Sequence, residues 1–244
     1  MLNPGLYIVG TPIGHLQDIT LRALDTLREA SLILAEDTRQ TRKLLDRHGL
    51  QTPMLSYHKF NEAARAEELL ARLRAGEALA LVSDSGMPAV SDPGARLVEA
   101  CRAAKLPVFV VPGPSAVTSA IALSGMPSRG FVFGGFLPHK SGARRRELEA
   151  FGRHSLPVVL FESPYRLLKL MDEIDAVLGA RQVYVGRELT KHFEEHLRGT
   201  PAEIRAAFGT RTVKGECVVV IAPAGETEPP AEDADEERAR ETGE

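Results

Sequence analysis

Cysteine is scarce in this chain, and no apolar run is long enough to cross a membrane. The 244 residues hold two cysteines, Cys101 and Cys217, each without a second Cys or His at metal-ligand spacing. Cys101 falls in a helix-like stretch and Cys217 in a strand-like one, so both read as small buried hydrophobes and no metal is expected. Apolar runs stay well below the ~18 residues that span a bilayer. The opening Met1-Leu2-Asn3-Pro4 lacks the basic and apolar segments of a secretory leader, so the expected location is the cytoplasm, away from membranes. Two nucleotide signatures are also missing. No segment reads G-x-G-x-x-G with an acidic residue about twenty positions later, and none reads G-x-x-x-x-G-K-[ST], which leaves little case for NAD or ATP.

Apolar residues make up 43% of the chain and charged residues 26%, a mixture that supports a packed core and excludes global disorder. The length suits two modest domains. The net charge of −3 is unevenly spread, because 224–244 holds nine acidic residues against Arg238 and Arg240. That end of the chain therefore carries −7 and the remainder +4. With paired prolines and no large apolar side chain, 224–244 is expected to be a disordered acidic tail.

Short apolar runs alternate with amphipathic stretches, which is the pattern of α/β construction. Strands are predicted over 6–9, 32–35, 78–82 and 108–111, and helices over 21–30, 38–47, 61–75, 93–104 and 115–123. Asp92 before Pro93 reads as a helix start, and Gly76 as a helix stop. Gly125, Pro127 and Gly130 cluster where a domain boundary is expected, giving domains over 1–125 and 130–223. In the second domain strands are predicted over 131–136, 158–161, 182–187 and 217–222, with helices over 142–152, 165–178 and 202–208.

Three Gly/Pro-rich loops each follow a predicted strand: Gly10-Thr11-Pro12-Ile13-Gly14, Ser83-Asp84-Ser85-Gly86-Met87-Pro88 and Pro112-Gly113-Pro114-Ser115-Ala116. In open α/β sheets ligands bind beyond the carboxyl ends of strands, so three such loops point to a shared crevice. Taken singly, each also suits an ordinary strand-to-helix turn. Asp37 closes a strand, and Glu188 and Lys191 follow another, so these are the candidates for activating a weak nucleophile, with Asp37 first. An internal Asp37–Arg39 or Glu188–Arg187 ion pair is the alternative for two of them, and His58 is a further candidate that reads more readily as a lone surface histidine. The densest basic stretch is His139-Lys140 with Arg144-Arg145-Arg146, followed by Arg39, Arg42 and Lys43. Arginines at the start of a helix work against its dipole, which favours an anionic partner such as RNA over a purely structural role.

These loops, together with Ala35-Glu36-Asp37-Thr38-Arg39, Ser91-Asp92-Pro93-Gly94, Phe161-Glu162-Ser163-Pro164 and Arg187-Glu188-Leu189-Thr190-Lys191, resemble the ribosomal RNA small subunit methyltransferase I family from about Gly5 to Pro223. The resemblance implies a class III methyltransferase with two α/β domains of the tetrapyrrole-methylase type, S-adenosylmethionine in the cleft between them, and a homodimer. It implies 2′-O-methylation of a cytidine ribose in the decoding region of small-subunit ribosomal RNA, free or in the 30S particle. By the same resemblance Pro12, Ser83, Asp84, Ser85, Gly86, Ser115 and Ala116 line the cofactor, with Glu162 and Gly215 closing the other side. Asp37, Glu188 and Lys191 are then the catalytic candidates, and Arg39, Arg42, Lys43, Lys140, Arg144, Arg145 and Arg146 the RNA contacts. Two rivals stand beside this reading: a sister methylase of a tetrapyrrole or a modified protein histidine, and a non-catalytic cofactor-sensing or RNA-binding module.

Overall fold

The computed structural model describes residues 2–126 and 129–225. The predicted acidic tail thus lies outside the described residues except for Ala224 and Gly225. The chain divides into two compact units, the first running to Ser119 and taking in Leu189–His192, the second comprising Ala120–Glu188 and the chain from Phe193. The division falls inside a helix at Ala116–Ser124 (α5 below), whereas the sequence places it at 125–130.

The first unit alternates β1 (Gly5–Val9), α1 (Leu21–Glu29), β2 (Leu32–Ala35), α2 (Thr38–Arg47), β3 (Met54–Ser56), α3 (Glu62–Arg74), β4 (Ala78–Val82), α4 (Ala95–Ala103) and β5 (Val108–Val111), leading into α5 (Ala116–Ser124). All strands are parallel, in the order β3-β2-β4-β1-β5. Residues on opposite faces of a strand alternate, and the core follows that rule. Leu6, Ile8, Leu32, Leu34, Leu79 and Leu81 pack on Leu69, Leu73 and Leu97 from α3 and α4. Tyr7, Val9, Ile33, Ala80 and Val82 pack on Ala23, Leu27, Leu44 and Leu45 from α1 and α2. The predicted start of α4 shifts. Gly94, at φ +131, occupies its N-cap and Asp92-Pro93 lie in the turn before it, because the chain must first pass Ala89 and Ser91 in left-handed conformations.

The second unit holds β6 (Val132–Phe136), α6 (Ser141–Phe151), β7 (Val158–Glu162), α7 (Pro164–Leu178), β8 (Val183–Arg187), β9 (Glu195–Gly199), α8 (Pro201–Phe208) and β10 (Cys217–Ile221), in the order β6-β7-β10-β8-β9. β6 and β7 are parallel, while β10 inserts antiparallel between β7 and β8 and β9 pairs antiparallel with β8. α8 begins with a capping box in which Thr200 and Glu203 satisfy each other's backbone N–H. Cys217 is buried in this core, as Cys101 is in the first.

One expected RNA contact is corrected here. Arg144 is 1% exposed, and its guanidinium pairs with Glu173 of α7 through Nε–Oε2 and through Nη2–Oε1 at 2.8 Å, while Ser141 Oγ donates to Glu173 Oε1 at 2.6 Å. The cause is helical periodicity, since 141, 144 and 148 share one face of α6 and that face meets α7. Lys140, Arg145 and Arg146 remain exposed. Removing one partner of a buried pair leaves an uncompensated charge at a cost of ~3–5 kcal/mol. Arg144→Met is therefore expected to destabilise the protein by about 3 kcal/mol, read from urea unfolding, and Arg144→Met/Glu173→Met to recover most of the loss. The Arg144 guanidinium holds the Glu173 carboxyl below its ordinary value of 4.5, so the pair's stabilisation is present above that pH and lost as pH falls through the lowered folded value. Acid titration of the unfolding free energy should show this slope in the wild type and not in the double variant.

Candidate active site

In a parallel sheet every strand ends on the same edge, so the loops after β1, β2, β4 and β5 are neighbours by construction. Here they are fastened to one another. Gly10 N donates to Val111 O at 2.9 Å, Thr11 N donates to Gly86 O at 2.9 Å, and Thr11 Oγ1 donates to Ser83 O at 3.1 Å. A side chain on Gly10 would come within 2.7 Å of the Gly113 backbone and of Met87 Sδ, so the first and third loops touch main chain to main chain. Gly86 sits at φ +79, and Ala89 and Ser91, in left-handed conformations, follow it. Non-glycine residues in that region store strain and tend to gather where a ligand is gripped.

The structure thus brings Pro12, Ser83, Asp84, Ser85, Gly86, Ser115 and Ala116 to one edge of the first unit. Ser83 is buried and its hydroxyl is turned inward to Gly86 O at 3.4 Å, Pro12 and Gly86 are buried, Ser85, Ser115 and Ala116 are half-buried, and Asp84 is exposed. Asp84 Oδ1 accepts from Asp37 N at 3.0 Å, which ties the end of β4 to the end of β2.

Lys191 joins this unit although it lies far along the chain. Thr190 Oγ1 accepts from His15 N at 3.0 Å, and a side chain on Gly14 would come within 2.5 Å of Lys191 Cγ. The 189–192 segment therefore backs the first loop.

Asp37 is placed where expected, and its carboxylate is engaged by Arg39. It is the N-cap of α2, its Oδ1 accepts from Arg39 N at 2.8 Å, and the Arg39 guanidinium grips both oxygens, Nη2 to Oδ2 at 2.6 Å. Arg39 side-chain and backbone N–H groups hold its carboxyl down at about 2. A base works best near the operating pH, so this carboxylate is suited to holding Arg39, not to taking a proton. The ion pair also occupies Arg39, whose side chain is otherwise 87% exposed. Arg42 and Lys43 are exposed on the same helix.

Glu36 is the residue that sequence reasoning passed over. It is half-buried at the end of β2, and burial, reinforced by the charge of Asp84, pushes its carboxyl up while an Asp84 backbone hydrogen bond and His58 pull the other way. The signal was present in the alternation of side chains: if Asp37 turns to cap α2, its neighbour turns toward the β4 loop. His58 Nδ1 accepts from Phe60 N at 3.3 Å and its ring lies 3.3 Å from Asn61 Nδ2, so it closes a turn beside this group.

Three further candidates fall in the second unit. Glu188, at φ +52, accepts from Glu216 N through Oε1 at 2.9 Å, and a side chain on Gly215 would strike the Glu188 carboxylate. Those two expected site residues are thus paired with each other. Glu162 is 2% exposed; its Oε1 accepts from Ser163 N at 2.6 Å and Arg166 Nε at 2.7 Å, while Oε2 is buried with no hydrogen-bond partner. Among the described residues no group of three His, Cys, Asp or Glu could hold a metal ion.

The chain is 48% identical over 216 residues to a protein of Thermotoga maritima named ribosomal RNA small subunit methyltransferase I, covering 88% of this chain and 97% of that one. It is 46% identical to the protein of the same name from Synechocystis, covering 90% and 79%. A crystal structure of uroporphyrin-III C-methyl transferase from Thermus thermophilus complexed with S-adenyl homocysteine shares the fold, with a TM-score of 0.63 at 21% identity over 88% of this chain and 96% of that one. The family model described as tetrapyrrole (corrin/porphyrin) methylases matches residues 5–205, and the chain belongs to that family.

Proposed function

We propose that the protein transfers a methyl group from S-adenosylmethionine to the 2′-hydroxyl of a cytidine ribose in the decoding region of small-subunit ribosomal RNA. The observation that carries this reading is the 48% identity to a ribosomal RNA small subunit methyltransferase I over 97% of that protein's length. The loops support it physically. The Gly10–Gly113 contact and the small residues around it leave an edge of backbone polar groups, which suits an amino-acid head and an adenosine. Exposed Arg42, Lys43, Lys140, Arg145 and Arg146 favour an RNA over a tetrapyrrole, since phosphates dominate affinity for such cations. A ribosomal substrate places the reaction in the cytoplasm. Homodimerisation is supported by Val110 on the edge strand of one sheet and Phe136 on the edge strand of the other, 57% and 56% exposed.

When bound, S-adenosylmethionine supplies a methyl activated by its sulfonium. The protein's share is to hold the ribose oxygen in line with that carbon and to receive the hydroxyl proton. Ser83, Asp84, Ser85, Gly86, Ser115 and Ala116, with Pro12, form the cofactor edge of the first unit. Glu36 takes the role of base first given to Asp37, with Lys191 orienting the hydroxyl; Asp37 anchors Arg39.

Ser115→Trp is expected to weaken S-adenosylmethionine binding more than 100-fold by filling the third loop, on the order of the 1.4 kcal/mol per tenfold scale, with an unchanged circular dichroism spectrum. Calorimetry decides this, and undiminished affinity would remove Ser115 from the site.

Glu36→Gln should lower single-turnover methylation of small-subunit RNA by about 10²–10⁴-fold. Asp37→Asn should cost less than about 10-fold, because its carboxylate is already committed to Arg39. A base must be deprotonated to act, so the wild-type rate should rise with pH through a value above the ordinary carboxylate 4.5 and the Glu36→Gln variant should lose that limb. A larger loss in Asp37→Asn than in Glu36→Gln would reverse the assignment.

A further inference from the structure

The second unit contains a small cavity that none of the roles above uses. Its volume is about 250 Å³, and it is lined by Arg187, Phe193, Glu195, Phe208, Arg211 and Lys214 among others, all of the second unit. Arg187 organises it: Nε donates to Glu195 Oε2 at 2.8 Å, Nη1 to Lys214 O at 3.0 Å and Nη2 to Phe193 O at 3.2 Å. Arg211 donates to Glu195 Oε1 at 2.9 Å and lies over the Phe208 ring at 5.3 Å. One carboxylate thus holds two guanidinium groups apart and in place, and with Lys214 the cavity has two more positive charges than negative ones. At its rim the Phe193 ring is 68% exposed, beside an exposed Lys214.

We infer that this cavity is a nucleotide subsite of the RNA-binding surface, in which a base unstacked from single-stranded RNA lies on the Phe193 ring and its phosphate meets Arg211 and Lys214. The inference rests on the RNA reading of the function. Three features select this occupant. The volume is below the ~300–1,000 Å³ of pockets that bury drug-sized ligands and suits a group the size of a single base or phosphate. The surplus of cations calls for an anion. An exposed ring and a guanidinium plane beside that charge are the groups on which unpaired bases stack. A protein partner would need carboxylates placed to meet both cations as they are desolvated, whereas every nucleotide of an RNA brings its own anion.

The test is filter binding of the full-length protein to protein-free small-subunit ribosomal RNA and, separately, to assembled small subunits, across a salt series. Phe193→Ala should raise Kd for the free RNA by about 5- to 150-fold, the loss of one stacked base, and leave the salt dependence unchanged. Lys214→Ala should raise Kd and reduce the slope of log K against log salt by about 0.7 to 1, one phosphate contact. Arg153→Ala, an exposed cation of the same unit away from the cavity, serves as the control and should change neither. S-adenosylmethionine affinity and circular dichroism verify that the variants are folded. Wild-type Kd and slope in both cavity variants would overturn the subsite. Weakened binding to assembled subunits with unchanged binding to free RNA would assign the cavity to a ribosomal protein and equally overturn it. Failure of the wild type to methylate small-subunit RNA would instead defeat the functional reading on which the subsite rests.

Discussion

The contact between the backbones of Gly10 and Gly113 sets the dimensions of the proposed cofactor edge. Two strands that lie side by side end in loops that meet without side chains between them, and Thr11 then reaches Gly86 and Ser83 on the far neighbour of β1. A parallel sheet makes the loops adjacent, but only the absence of Cβ atoms makes them close. Once the first loop is pinned between the other two, the polar groups around it have little freedom, and an edge that would otherwise be a row of independent turns becomes a single surface. Preorganisation of this kind is what positioning catalysis requires, because the entropy of alignment is lost during folding, before the reactants arrive.

The second unit relies on a different device. Its sheet mixes directions, with β10, the last strand, inserted between β7 and β8, so the final strand of the described fold completes a core that four earlier strands and three helices leave open. On the helical side of that sheet the Arg144–Glu173 pair joins α6 to α7. Buried pairs of this sort add little net stability over apolar residues of similar size, and here the pair lies with Leu148 on the face of α6 that meets α7. The three consecutive arginines are thereby divided, one spent on packing and two left for solvent or ligand.

Most of the fold is legible in the sequence because most elements carry their own period. Four strands of the first unit, β1, β2, β4 and β5, are continuous apolar runs, as expected where helices cover both faces, and they stand at the positions the pattern predicts. β3 is missed because three residues are too few to show a period, and β9 because Glu195-His196-Leu197-Arg198-Gly199 is an edge strand whose charged residues mask its alternation. The candidate site is legible as loops and less so as roles. Gly/Pro wording marks the turns, yet whether Asp37 takes protons or caps a helix depends on where the Arg39 guanidinium lies, and whether Arg144 meets RNA or Glu173 depends on a residue in another helix. The second is a tertiary fact with no local signature, whereas the Asp37–Arg39 pair is local and stands among the alternatives the sequence offers, which leaves only the choice between them to the structure.

Residues Leu189–His192 belong to the first unit while the chain on either side belongs to the second. The first unit is therefore not a continuous stretch of sequence. Glu188 and Thr190, at φ +52 and +64, mark the bends where the backbone departs, and neither is a glycine. A gene fragment ending at Ser119 would encode every strand of the first sheet and still lack the four residues that cover Gly14, so the two units cannot be exchanged as cassettes between relatives by a single crossover.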